Sequence, residues 1–443
     1  MSDVSGADAD YESPPHRARF PLIARQLPPF TPRQWRVFGI STTAGFFDNY
    51  DSALLSLALP QIQRGLRIAE AHLGNMLSVI RLGYMASLLL SPLADVFGRR
   101  RLLLYTIVGY TVFTGLSAIA QHERSFVAAQ FIARAFSGAE ATISLVILVE
   151  EVDAAVRGWA IGLQGALSIS GYGLAAIVFS MITVIPYGWR GLYALSVLPL
   201  VLIIPLRRAL PESRRFEDET RAGERPSNIL QPLAALVRVY PRRLTMMVAV
   251  AFLNSIGGSP AALFFPKYLQ EAHGWTPGQV SSLVVFGGAV GILGAIVSGR
   301  LSDHVGRRAA GSLFMFVGPV FAIWMYGAHS NAVIWLWIVR LFLDQAATTI
   351  LSVYSVELFP TSHRSAAGSA LAVAGTTGAA LGLFLEGMLY GVAGSHWQAI
   401  RILMVFSMVG AVVMFAAFPE TVGRELEEIS PEAEGAATPG AIR

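Results

Sequence analysis

Two acids interrupt an apolar run. In the stretch GFFDNYDSALLSLALPQI, residues 45–62, Asp48 and Asp51 stand three positions apart, a spacing that puts both on one face of a helix. A charged carboxylate at mid-bilayer costs ~2.5–3.5 kcal/mol on insertion scales, so the two together oppose ~5–7 kcal/mol of insertion if both are ionised. The cost is avoided when the group binds a proton or faces water and countercharge inside a bundle. A carboxylate that alternates between those conditions is a proton carrier, and Asp51 and Asp48 are read as that. Other polar groups lie in apolar stretches too. Glu140 and Glu386 are further carboxylates within apolar stretches and Arg81 has no local partner; all three are candidates for a substrate cavity, with Arg81 able to face either a substrate anion or one of the aspartates. Gln164 suits recognition of a hydroxyl group, and Tyr50 suits an aromatic ligand. Arg340 and Asp344, four apart, are expected to satisfy each other as a structural pair.

The elements that must hold these residues follow from composition. The 443 residues are 54% hydrophobic and 14% charged, with a mean hydropathy of +0.54, which is the composition of an integral membrane protein. Apolar runs long enough to cross a bilayer as helices lie near residues 36–60, 73–94, 102–121, 126–149, 158–184, 189–206, 242–269, 278–299, 309–328, 333–356, 366–392 and 397–418. The expected fold class is therefore an all-α membrane protein of twelve transmembrane helices, because helices satisfy their own backbone in lipid. No cleaved signal peptide is expected in the first 35 residues. Arginines crowd the even-numbered exits, including Arg99, Arg100, Arg157, Arg307, Arg308 and Arg364, so both termini are expected in the cytoplasm. The net charge of +4 is a topology signal, not a sign of nucleic-acid binding.

The loops hide a repeat. LADVFGRR (93–100) returns as LSDHVGRR (301–308), with Asp303 following Asp95 by 208 positions. EEVDAAVRG (150–158) is matched by ELFPTSHRS (357–365), and LPESRRFE (210–217) by FPETVGRELEEI (418–429), at spacings of 207 and 208. The chain is thus expected to be a duplicated six-helix unit, its copies parallel because an even number of helices returns to the starting side. The expected divisions are an N-terminal tail (1–35), a six-helix bundle (36–207), a charged linker (208–241), a second bundle (242–418) and a C-terminal tail (419–443). Asp95 and Asp303, at helix ends beside arginines, can tie neighbouring helices in one state and release them in another.

Together these motifs make the chain resemble the major facilitator superfamily, in its sugar-porter and aromatic-acid or metabolite:proton symporter branch. The resemblance rests on the D-x-x-G-R-R loops at Asp95, Gly98, Arg99 and Arg100 and at Asp303, Gly306, Arg307 and Arg308, on Glu151 with Arg157, on Glu357 with Arg364, and on the PES and PET segments. The first loop opens with Ser91 where the family usually has glycine; the second keeps Gly299. The resemblance implies alternating access, a gating role for the loops, and proton coupling at Asp51 in NYDSAL paired with Arg134 in RAFSGAE.

What the chain lacks narrows its function. The single lysine, Lys267 in FFPKYL, leaves no phosphate-binding loop for ATP hydrolysis. The eight histidines fall in tails, loops or near helix ends, so no metal site is expected, and the absence of cysteine removes disulfides and thiolate ligands. No cofactor and no enzyme activity are expected. The seventh span lacks the paired glutamines that a sugar porter would bring, with Asn254 its nearest amide. The expectation is a proton-coupled symporter of the inner (plasma) membrane, its partners a small organic solute, protons and lipid, with no nucleic acid, acting as a monomer. The favoured solute is an organic or aromatic carboxylate. The alternatives are a sugar or polyol symporter and a nutrient sensor without flux.

Overall fold

The computed structural model describes residues 30–91, 93–198, 236–360, 363–424 and 429. Fifteen helices are bounded within them: α1 Pro32–Leu57, α2 Leu59–Leu66, α3 Glu70–Leu90, α4 Leu93–Phe97, α5 Arg99–Ala118, α6 Glu123–Glu151, α7 Ala154–Ser180, α8 Trp189–Leu195, α9 Pro241–Leu263, α10 Phe265–Ala272, α11 Pro277–Val305, α12 Arg307–Met325, α13 Ala332–Glu357, α14 Arg364–Ala393 and α15 His396–Ala417. Ten are long and apolar enough to cross a membrane; α1, which carries both aspartates, has the length as well, 26 residues, or ~39 Å. The expected sixth span is described as far as residue 198. Most of both expected tails and of the linker at 208–241, and the Asp95 side chain, lie outside the described residues.

Local sequence explains where these helices start and bend. Thr31-Pro-Arg-Gln34 opens α1 with a capping box, and Thr276-Pro-Gly-Gln279 opens α11 in the same way; threonine and glutamine satisfy orphan backbone donors while proline supplies the first helical φ. Pro60 and Pro266 start α2 and α10, so the first helix of each half bends at its end. Pro260 inside α9 removes the donor that the Ile256 carbonyl would have used. Gly382 of α14 packs against that carbonyl, where an added Cβ would come within 2.1 Å of the oxygen.

The duplication is visible in backbone geometry. Gly98 and Gly306 both lead into the next helix with positive φ, +93° and +106°, a conformation that requires glycine. Each glycine is followed by an arginine that pairs with a carboxylate at the end of the next helix: Arg99 of α5 with Glu150 of α6, and Arg307 of α12 with Glu357 of α13.

The apolar clusters divide unequally between the two ends of the bundle. At the end that carries the termini, one cluster gathers Phe38, Leu103 and Ile147 from the first half and a separate one gathers Leu244, Met315 and Tyr354 from the second. At the far end a single cluster joins both halves, with Leu54, Leu59 and Leu77 among Phe264, Leu269 and Leu383. The halves are therefore sealed together at the far end. Their tightest seam is α3 on α14, where a Cβ at Gly74 would meet the Gly387 backbone nitrogen at 2.5 Å.

Gly74→Leu should wedge this seam apart, since overpacking a close contact costs ~1–3 kcal/mol. Ser78 donates to the Ala380 carbonyl across the same seam, and the chain has no native cysteine. Cysteine at Ser78 should react about tenfold faster with an impermeant maleimide in the Gly74→Leu background. Equal rates would show that the seam does not control access.

Candidate functional site

The α1 and α6 helices bring an acid and a base together inside the first half. The Arg134 guanidinium meets the Asp51 carboxylate at 2.9 Å, with both side chains at most 3% exposed. Arg134 is held on every side: Gln130 accepts from it at 3.1 Å, Ser52 at 2.8 Å, Tyr84 at 3.4 Å and the Asp51 carbonyl at 3.4 Å. Glycine makes room for the arrangement, because a Cβ at Gly83 of α3 would stand 2.3 Å from the Phe131 carbonyl and 2.8 Å from the Arg134 Cβ. Removing one partner of a pair this deep leaves the other charged and unsolvated.

Asp48 lies one turn further along the same face, 3.9 Å from Arg134 and 18% exposed, and accepts a hydrogen bond from Ser137. Arg81 on α3 stands over the Tyr84 ring at 5.2 Å. Its buried Nε has no hydrogen-bond partner, and among the described residues Arg81 makes no ion pair. Asp48, Asp51, Arg134, Arg81 and Tyr84 thus form one cluster. Glu140 sits beyond it, wholly buried, both its carboxylate oxygens without a partner.

The remaining candidates scatter. Tyr50 is turned away, 3% exposed, its hydroxyl donating to the Leu192 carbonyl near α8. Gln164 of α7 is half-buried beside Gly45, and Asn254 of α9 is half-buried with its carbonyl accepting from Ser407. The pair Arg340–Asp344 forms at 3.1 Å. It borders a cavity of about 180 Å³ whose other walls include Tyr172 from the first half and Phe265 and Trp337 from the second.

At the terminal end the loop motifs knit each half internally. Glu151 takes a two-pronged bond from Arg33 at 2.7 and 2.9 Å instead of pairing with Arg157, and Arg157 donates to the Val152 carbonyl. Its counterpart Arg364 donates to the Val356 and Phe359 carbonyls. Arg307 bonds Asp303 at 3.1 Å, Arg308 lies over the Phe415 ring, and Glu420 accepts from the backbone N–H groups of Arg307 and Arg308, a carboxylate placed where the start of α12 favours one.

The far end holds a polar cluster that the sequence reading did not foresee. Lys267, fully buried, donates to Gln63 at 2.6 Å and Glu70 at 3.2 Å in the first half and to Glu271 at 2.7 Å in its own. His396 bridges Glu70 at 2.9 Å and Glu386. Glu386 therefore belongs to this latch and not to the Asp51–Arg134 cluster. Gln61 donates to Gln270 at 2.7 Å beside it. The one available sequence signal was that the chain's single lysine stands in an apolar stretch.

Comparison with known proteins gives a consistent picture. The family model described as Major Facilitator Superfamily matches residues 42–343 and 247–440. A putative metabolite transport protein of Haemophilus influenzae is 25% identical over 415 residues, covering 89% of this chain and 98% of that one. A 4-hydroxybenzoate transporter of Pseudomonas aeruginosa is 26% identical, covering 85% and 91%. Among solved structures, an inward-facing, unoccupied bacterial homolog of the human lysosomal transporter Spinster superposes with a TM-score of 0.72 at 15% identity, over 88% of this chain and 97% of that one; at that identity the likeness bears on the fold alone.

Arg134→Met would strand Asp51 and should cost ~3–5 kcal/mol of stability, whereas Asp51→Leu with Arg134→Met should recover most of it. Denaturant melts in detergent read both. A double variant no more stable than Arg134→Met would mean that the pair does not organise this core.

Proposed function

The chain belongs to the major facilitator superfamily and is a non-enzymatic transport protein, and from that premise we propose that it is a proton-coupled symporter of a small organic carboxylate, acting as a monomer by alternating access. In this reading both termini face the cytoplasm, the bundles at 36–207 and 242–418 rock about the linker at 208–241, and the sealed far end makes the described state inward-facing. Asp51, Asp48 and Arg134 couple the proton, Arg81 anchors the solute, and the terminal loops clasp each half.

One observation carries the reading: a buried Asp51–Arg134 pair next to an arginine, Arg81, with no ion-pair partner among the described residues. Two guanidinium groups, Arg81 and Arg134, face two carboxylates, Asp48 and Asp51, and the four balance. When Asp51 takes a proton, one positive charge is left uncompensated in surroundings where that is costly. A carboxylate solute restores the balance and a neutral sugar does not. Proton and carboxylate therefore bind in support of each other, which is the thermodynamic content of symport. The similarity to a 4-hydroxybenzoate transporter favours an aromatic carboxylate.

Liposomes loaded with a pH dye test this. External 4-hydroxybenzoate should acidify the lumen above the leak seen in empty liposomes, and Asp51→Asn should abolish the excess. Arg81→Gln should raise the KM for the carboxylate by about tenfold or more, the scale of one lost charge-assisted contact. Acidification by sugars or polyols alone, or undiminished acidification by Asp51→Asn, would contradict the proposal.

A further inference from the structure

His396 and Glu70 each open a helix, α15 in the second half and α3 in the first, and the fold brings them together at the sealed far end. The imidazole there has a carboxylate on each side. Its Nε2 stands 2.9 Å from Glu70 and its Nδ1 2.5 Å from Glu386 of α14. The ring is pinned in that orientation, 4% exposed, with Tyr390 stacked on it at 4.4 Å and Phe264 at 4.9 Å. The second oxygen of Glu386 is buried against the first half, where a Cβ on Gly74 would come within 2.6 Å of it.

A neutral imidazole carries one N–H, so it donates to one carboxylate and turns a lone pair toward the other. Lone pairs at that distance repel. Both contacts become hydrogen bonds only when the triad holds one proton more than a neutral ring between two carboxylates, whether the ring is an imidazolium or one acid is a carboxyl. The other titratable groups nearby are Lys267 and Glu271 of α10 and Tyr390 of α14. Tyr268 and Tyr326 reach the neighbouring Trp397, and His72, next but one to Glu70, pairs with Glu123 of α6. Three carboxylates, Glu70, Glu271 and Glu386, are thus set against one lysine. Burial makes the excess negative charge costly, and a proton reduces it.

We propose that the Glu70–His396–Glu386 triad is a proton-binding site whose proton latches the far end shut and returns to the water on that same side when the end opens. One N–H or O–H bond forms on closing, and that bond breaks on opening. Opening carries Glu70 away with α3 and leaves the wetted ring one carboxylate, for which a single N–H suffices. The closed end therefore binds the proton more tightly than the open one, so a fall in pH favours closure and a rise favours opening. Because the proton enters and leaves on one side, it adds nothing to the number carried across. The inference rests on the alternating-access part of the proposed function and requires neither a particular solute nor Asp51.

Spin labels on cysteines introduced by Arg64→Cys and Asn331→Cys, both exposed positions of the far end and one in each half, read the separation of the halves in lipid nanodiscs. Over about pH 5–8, where imidazole and carboxyl groups titrate, the ratio of separated to closed molecules should rise with pH, approaching about tenfold per unit, the limit for one linked proton. Glu386→Gln and Glu70→Gln each offer the ring a permanent N–H donor, which does the work of the proton. Either variant should stay closed across the range, with a pH response at least about fivefold smaller, whereas losing a merely structural ion pair would open the end. Asp51→Asn should keep the response. The inference is overturned if the unsubstituted chain ignores pH, if Glu386→Gln and Glu70→Gln open or titrate like it, or if Asp51→Asn abolishes the response. Acidification of liposomes by 4-hydroxybenzoate is measured alongside. If it is absent while the far end titrates as described, only the symport reading fails; if it is present in a chain whose far end ignores pH, only this inference fails.

Discussion

A guanidinium sealed inside an apolar bundle has to be balanced, and Arg134 makes that requirement for the whole first half. Its charge accounts for the position of Asp51, for the polar collar of Gln130, Ser52 and Tyr84, and for the glycine at position 83 that lets α3 approach α6. Such a pair is weak evidence of stabilisation, since well-packed apolar residues often serve as well or better. In the proposed symport its value lies in being sensitive: protonating one member changes the charge of a site that cannot tolerate a surplus. In the proposed symport, the same rule gives Arg81 nearby a use for an incoming anion.

Balance of charge also governs the far end, with a different outcome. Lys267, Glu70, His396 and Glu386 draw their partners from both halves, so separating the halves leaves several buried groups unpaired at once. Around them the apolar cluster and the glycine contact of α3 with α14 add a close-packed seam. At the terminal end, three ion pairs among the described residues lie within a half: Arg33 with Glu151, Arg99 with Glu150, and Arg307 with Glu357. Bonds within a half survive a rocking motion, whereas bonds between halves must break, which is how one bundle can be rigid in its parts and switchable between them.

Legibility in the sequence tracked the range of the interaction. The helical class follows from apolar runs, and the duplicated halves from loops whose local geometry needs particular residues, as the paired positive φ of Gly98 and Gly306 demonstrates. Asp48 and Asp51 stood out because their spacing and their surroundings are both local, as did the Arg340–Asp344 pair. The partner of Arg134 was legible only through family resemblance, since no local pattern links α1 to α6. Tyr50 and Glu386 went elsewhere for reasons that no window of sequence contains: the first is set by how α1 meets α8, the second by His396 at the start of α15, which also bonds Glu70, 326 positions before that histidine. Helix ends were also longer than the apolar runs suggested, because α11 continues to Val305, where Gly306 stops it.

In the proposed symport the carboxylate and the proton enter one charge-balanced site together. Calorimetric titration of 4-hydroxybenzoate into the purified protein, in two buffers of different ionisation enthalpy, counts the protons taken up on binding. About one proton per carboxylate is expected near neutral pH, and none when Asp51→Asn is titrated. Carboxylate binding with no proton uptake by the unsubstituted chain would contradict it.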